Sequence, residues 1–322
     1  MTRAPAHPGT ALEPLRFHEL QDANAARLKA ATGAARVERA VHPTPAPVGY
    51  YRLSGGELPT PVFAKVLTNA QMMRERPASI LADRAARAGL PTLHTLGEAI
   101  ALEDTHHVMY WPWVEARFST CTATELASLG AALRRLHTFL RAQATPDWQA
   151  RGQQALESTW HRLEHLAHAP QLQPHLAHAL QQLIQDRVGV EACLMFQAQP
   201  IHDDLHRGNV LFDRQGQVVA FLDFEEALDT FATPWLDLSW AVERFCVGPD
   251  AATTRQKTAQ FLQAYQPNGF SEPASTTDYR LQRLTLWRNM RALALLHQMP
   301  ERPYHWNQEW EKFSQLIPNS EF

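Results

Sequence analysis

The sequence predicts an α+β fold in two parts, a small sheet-rich front and a larger helical back. Three observations carry that expectation. Val48 to Leu53 (VGYYRL) and Val62 to Leu67 (VFAKVL) are short apolar and aromatic runs, with Ser54, Gly55, Gly56 and Pro59 between them. That is the composition of two strands and a turn. Leu126, Leu129, Leu133, Leu136 and Leu140 recur at three- and four-residue steps, the stripe of an amphipathic helix. Val210 to Phe212 and Val218 to Leu222 flank Asp213-Arg214-Gln215-Gly216, a hairpin set as an island in the helical part.

The remaining elements follow in chain order. Met1 to Pro14 holds Pro, Gly, Ala and Thr without periodicity and reads as a flexible tail over residues 1–14. Leu15 to Ala31 is rich in Ala and Leu and reads as a helix stopped by Gly33. Arg36 to Val41 reads as a third strand. Met72 to Ala88 is helical in pattern and closed by Gly89 and Pro91. Proline fits the first turn of a helix, so Pro77 places that start near Glu75. Val108 to Val114 (VMYWPWV) reads as a strand end or connector. Beyond it, Leu156 to Leu166, Leu176 to Ile184 and Leu281 to Leu296 are helical, the last with Trp287 and Met290 on its apolar side. The division expected is a sheet-rich part over 15–112 and a helical part over 113–322.

Composition narrows the function classes. Of 322 residues, 45% are hydrophobic and 20% charged, which excludes a largely disordered chain. No apolar run approaches the ~20 residues that cross a bilayer, and Met1 to Leu20 lacks an apolar signal core. A net charge of -3, from 30 basic and 33 acidic residues, leaves no footprint for nucleic acid or an anionic membrane. Cys121, Cys193 and Cys246 are scattered and odd in number, which suits a reducing compartment. A cytoplasmic protein is expected, with oligomeric state unread. No Gly-x-Ser-x-Gly elbow, Walker-type Gly-Lys-Ser/Thr or dinucleotide fingerprint is present.

The stretch that carries chemistry is Ile201 to Ala227, IHDDLHRGNVLFDRQGQVVAFLDFEEA. Asn209 immediately precedes the first hairpin strand and Asp223 immediately follows the second. An antiparallel hairpin brings its open ends together, so these two residues should face each other. Asp204 lies five residues before Asn209 in the loop that feeds the same end. Few protein oxygens are what Mg²⁺ takes when substrate phosphates complete its shell. Phosphoryl transfer also needs a separate carboxylate to orient the attacking hydroxyl and accept its proton. Asp204 is therefore the candidate base, and Asn209 and Asp223 the candidate metal ligands.

His202-Asp203-Asp204-Leu205-His206-Arg207-Gly208-Asn209, followed by Leu222-Asp223-Phe224-Glu225, resembles the signature of aminoglycoside phosphotransferase and choline kinase-like enzymes. Leu129 to His137 is similar to that family's first long C-lobe helix, and Pro234-Trp235-Leu236-Asp237-Leu238 to the segment after its metal aspartate. By motif order the resemblance spans Arg36 to Trp240. It implies a bilobal protein-kinase-like fold, a small sheet-rich N-lobe and a larger helical C-lobe with a cleft between them. It also implies ATP (GTP as the alternative) and Mg²⁺ as cofactors, and transfer to the hydroxyl of a small-molecule acceptor. Aminoglycosides, amino alcohols, homoserine-like compounds and sugars all fall within that range.

The resemblance assigns further roles. Lys65, inside the apolar strand Val62 to Leu67, would reach the nucleotide phosphates and pair with a helix glutamate. The alternative is a lysine on the solvent face of an edge strand. Glu75 is the chosen partner, with Asp83 as competitor. Met109, Tyr110 and Trp111, in the link between lobes, are candidates for the adenine edge, against core packing as the alternative. Asp237 would brace the catalytic loop. His42 to Pro47 stands where the family often has a glycine-rich turn over the phosphates, and proline offers no N–H there. Gly55 and Gly56 read as a plain hairpin turn.

Two rival functions remain at this stage. A protein Ser/Thr kinase of the same fold lacks support because no Ala-Pro-Glu follows Asp223. A non-catalytic nucleotide or ligand binder would account for the missing glycine turn. Glu225, Glu226, Asp229 and Glu243 suggest a cationic or amino-bearing acceptor. His161, His165 and His168 share one helix face and read as a solvated polar face rather than a zinc site.

Overall fold

The computed structural model of the protein describes residues 16–41, 49–103, 105–169, 172, 174–269 and 274–297. The tail at 1–14 and the stretch His42 to Pro47 lie outside the described residues. Along the chain come β1 (Arg16–Glu19), α1 (Ala23–Thr32), β2 (Arg36–Val41), β3 (Gly49–Ser54) and β4 (Val62–Thr68). Then follow α2 (Asn69–Arg87), β5 (Ile100–Glu103), β6 (His106–Pro112) and β7 (Arg117–Phe118). Four helices come next, α3 (Ala123–Ala142), α4 (Pro146–Ala167), α5 (Pro174–Gln185) and α6 (Arg187–Met195). The remainder is β8 (Gln199–Pro200), β9 (Val210–Phe212), β10 (Val218–Phe221), β11 (Phe231–Ala232), α7 (Pro234–Ala241), α8 (Ala251–Tyr265) and α9 (Ala274–His297). A π-helical turn, Val242–Cys246, follows α7 directly.

The chain divides into two compact units. One, the sheet unit, comprises the described residues up to Phe118 together with Gly208–Glu225. The other, the helical unit, comprises the described residues of Ser119–Arg207 and those from Glu226 onward. The hairpin of β9 and β10 thus belongs with the sheets.

The sheet unit is built on a six-stranded antiparallel sheet of order β1-β2-β3-β4-β6-β5. Strand alternation gives it two apolar faces. Ala25 and Leu28 of α1 pack with Val37, Tyr51, Leu53, Val62, Ala64 and Val108 on one. Leu67, Met109 and Trp111 meet Met72 of α2 and Leu93 on the other. A second sheet, β10-β9-β7, carries the hairpin, and Phe221 N donates to Pro91 O at 2.7 Å.

Two helix boundaries differ from the sequence expectation. Residues 15–31 are not one helix, because Arg16–Glu19 pairs with β2, Arg16 opposite Val41 and Glu19 opposite Glu38. The helix starts only after Asp22, whose side chain accepts from Ala25 N at 2.9 Å, the preferred chemistry of an N-cap. It ends as expected at Gly33, in a left-handed conformation at φ 70°. The second helix starts at Asn69, not near Glu75, through a reciprocal capping box between Thr68 and Gln71. Pro77 is accommodated inside it. The carbonyl it leaves without a donor belongs to Met73, a residue 78% exposed, so water can serve it. The short strand β5 has no counterpart in the sequence reading, having only four residues and a register irregularity.

In the helical unit, the leucine stripe of α3 is fully buried, Leu126, Leu129, Leu133, Leu136 and Leu140 all at 0% exposure. Gly130 lets α3 approach α8 closely, since a Cβ there would stand 2.5 Å from Phe261 O and 2.8 Å from Tyr265 N. The histidines His161, His165 and His168 are exposed. No helix among the described residues is long and apolar enough to cross a membrane.

Candidate active site

The residues expected to carry chemistry form two clusters, one in each unit. In the sheet unit, β4 alternates so that Phe63, Lys65 and Leu67 share a face. Lys65 stands opposite Tyr50 of β3 and Met109 of β6. Its flanking residues Ala64 and Val66 turn to the α1 side. The capping box at Thr68 starts α2 directly after β4, and Glu75 is buried on that helix. Lys65 Nζ donates to Glu75 Oε1 at 3.2 Å and Oε2 at 3.0 Å. It also donates to Asp223 Oδ1 at 2.6 Å. Burial works against the ammonium charge, and the carboxylates of Asp223 and Glu75 overcome it, holding Lys65 well above the usual lysine range. The Trp111 ring adds a cation–π contact, its centroid 5.5 Å from Nζ. Asp83 is otherwise engaged, accepting from Thr95 N at 2.8 Å and Thr95 Oγ1 at 2.9 Å.

The hairpin closes as its sequence requires. Val210 pairs with Phe221, and Leu222 N donates to Asn209 O at 2.9 Å. That bond brings the backbones at Asn209 and Asp223 to the same hairpin end. Asp223 has φ +55°, a left-handed conformation uncommon for a residue with a Cβ. Asn209 is buried, while the Asp223 side chain keeps 35% exposure. Two hard oxygen donors at one hairpin end fit Mg²⁺ arriving with a polyphosphate, since Mg²⁺ takes most of its shell from phosphate and water. Among the described residues no group of three His, Cys, Asp or Glu forms a self-sufficient metal site.

Of the three link residues, Met109 and Trp111 lie buried on the Lys65 face. Tyr110 turns to the α1 side, and its carbonyl accepts from Leu96 N at 3.0 Å. The sequence shows Glu225 as an acidic group close to the hairpin end, but not its link to Lys65 and Glu75. Burial, and then the hydrogen-bonded carboxyl of Glu75, push Glu225 up to about 8. Its signal was only its place two residues after Asp223.

In the helical unit the loop before β9 is held from below. Asp237 of α7 is fully buried, and accepts from His202 N and Asp203 N, each at 2.8 Å. His137 Nε2 lies 2.9 Å from Asp237 Oδ2, and His137 Nδ1 lies 2.9 Å from the Tyr265 hydroxyl. A buried line of hydrogen bonds therefore runs from α8 through α3 and α7 to the loop backbone. Asp204 itself is half-buried, its Oδ2 3.6 Å from His206 Nε2. Asp203 is buried and bonded to Arg291 of α9, a partner no local pattern announced.

The acidic residues that suggested a cationic acceptor have arginine or lysine neighbours. Arg291 reaches Glu226 at 3.4 Å and Arg151 reaches Asp229 at 3.6 Å. Arg288 contacts Glu243 in the interior, and Glu225 belongs to the Lys65 cluster. Sequence alone shows acids but not the arginines that distant elements bring to them.

A family model for the phosphotransferase enzyme family matches residues 69–268, and the chain belongs to that family. Solved structures agree in fold. An aminoglycoside-3'-phosphotransferase of type VIII matches at TM-score 0.56 and 20% identity, over 84% of this chain and 98% of its own. A macrolide 2'-phosphotransferase from Brachybacterium faecium matches at 0.54 and 13%, over 85% and 90%. A thermostable mutant of aminoglycoside phosphotransferase APH(4)-Ia, in a complex with AMP-PNP and hygromycin B, matches at 0.59 and 13%, over 92% and 97%. No curated protein matches the sequence significantly. The α+β fold is thus the protein-kinase-like fold of these phosphotransferases.

Proposed function

We propose that the chain transfers the terminal phosphoryl group of ATP, with Mg²⁺, to a hydroxyl of a small molecule. The observation that carries this reading is the buried Lys65 held between Glu75 and Asp223. A lysine buried against two carboxylates adds little to packing, and suits a site that exchanges one carboxylate contact for a phosphate. The AMP-PNP of the hygromycin B complex, bound by a protein of the same fold, supports the nucleotide.

In this reading Glu75 aims Lys65, and Lys65 steadies the phosphates. Asn209 and Asp223 hold Mg²⁺, which supplies neutralisation of charge on the transferring group when bound. Asp204 accepts a hydrogen bond from the acceptor hydroxyl and takes its proton as the oxygen attacks. Asp237 keeps the loop fixed while that happens. The acceptor range is that of the resemblance.

The test combines a melt with turnover. ATP at a hundredfold excess over its Kd should stabilise the wild type by about 2.7 kcal/mol, only with Mg²⁺ present, and Asp223→Asn should abolish the shift. Asp204→Ala should keep the shift and lose about 10²- to 10⁴-fold in ADP release over a panel of hydroxyl metabolites. An Asp204→Ala variant with wild-type turnover would remove Asp204 from its role.

A further inference from the structure

Asp203, directly before the candidate base, has φ +59°. Asp tolerates that left-handed conformation better than most residues with a Cβ, yet does not prefer it. Something must hold it, and the contacts are specific. Asp203 Oδ2 receives Arg291 Nη1 and the Thr230 hydroxyl at 2.8 Å. The backbone N–H of Asp203 is fixed from the other side by Asp237 Oδ1 at 2.8 Å. Asp203 Oδ1 is buried without a partner among the described residues, so the carboxylate hangs on its Oδ2 contacts. Arg291 Nη2 continues to Glu226 Oε2 at 3.4 Å, tying the loop after Asp223 to the same guanidinium.

We propose that Arg291 is a positioning residue for Asp204. By gripping the Asp203 carboxylate it holds residue 203 left-handed, and the backbone turn at 203 sets the direction in which the Asp204 side chain leaves the loop. Arg291 touches neither nucleotide nor reacting atoms in this scheme. It acts from α9, through Asp203, on the aim of the base, and the inference rests on the phosphotransfer reading above.

The test compares wild type with Arg291→Met, Arg291→Lys and the double variant Asp203→Gly/Arg291→Met. Hydrogen exchange over residues 201–207 is read by mass spectrometry, and ADP release by steady-state kinetics. Arg291→Met should raise loop exchange about tenfold and lower kcat about a hundredfold, with KM for ATP unchanged because the nucleotide residues lie in the sheet unit. Arg291→Lys should fall between. Glycine adopts φ > 0 without strain and leaves no buried carboxylate, so the double variant should return loop exchange to near wild type. Unchanged loop exchange in Arg291→Met, or a double variant as fast as that single one, overturns the proposal. If wild type itself releases no ADP with any acceptor, the phosphotransfer reading fails, while the exchange comparison still decides whether Arg291 holds the loop.

Discussion

Lys65, Glu75, Asp223 and Glu225 crowd one ammonium and three carboxyl groups into a small volume, and the arrangement has a pH signature. Glu225 binds its proton more tightly folded than unfolded, its folded value standing near 8 against an ordinary 4.5. Between those values the native state holds more protons than the unfolded chain, so stability falls as pH rises through that window. Glu225→Gln cannot titrate. Its melting temperature should therefore decline less than that of wild type between pH 5 and 8, as followed by calorimetry. Parallel declines in the two proteins would show that Glu225 ionises normally. The legibility of this cluster in the sequence was uneven. Lys65 stood out as a charge in an apolar strand, and Glu75 as a helix carboxylate at a plausible distance. Glu225 did not, because its contact with the Glu75 carboxyl is a property of two side chains meeting in space. Arg291 lies 88 positions from Asp203, with nothing local to connect them.

At the scale of elements, periodicity and turn chemistry did most of the work. The leucine stripe of α3 and the hairpin of β9 and β10 were read from residue order alone, since each is specified within a few residues. Failures came where tertiary pairing overrode propensity. β1 was absorbed into an Ala-rich helix because its partner, β2, lies across α1 in the sequence, and Pro77 moved an expected boundary that a capping box in fact sets. The α3–α8 contact gives a further prediction. Alanine is the better helix former by about 1 kcal/mol, but at Gly130 its Cβ would overlap the Phe261 carbonyl. Gly130→Ala should lower stability by about 1–3 kcal/mol, measured by urea unfolding. A gain would mean that α8 yields readily.

For the whole molecule, the two compact units do not follow one cut in the chain. The sheet unit draws in Gly208–Glu225, which supplies Asp223 to Lys65 and pairs β9 with β7. A fragment ending at Phe118 therefore lacks the strand partner of β7 and one of the two carboxylates that hold Lys65. It should melt without a cooperative transition by circular dichroism, whereas a sharp transition near that of the full chain would show that the hairpin is dispensable. Composition foretold an ordinary globular chain of mixed class, but this interleaving was not legible, because a motif's position in sequence does not reveal which sheet it joins.

That interleaving constrains the order of events on the ribosome. Synthesis runs from the amino end, so the sheet unit must wait, through the whole of α3 to α6, for residues 208–225 to emerge. Until then Lys65 has Glu75 but not Asp223, and the surface that the hairpin will cover stays open to chaperones and to neighbouring nascent chains. The Lys65 cluster, though its first residue is encoded early, is completed late in translation, when Asp223 emerges.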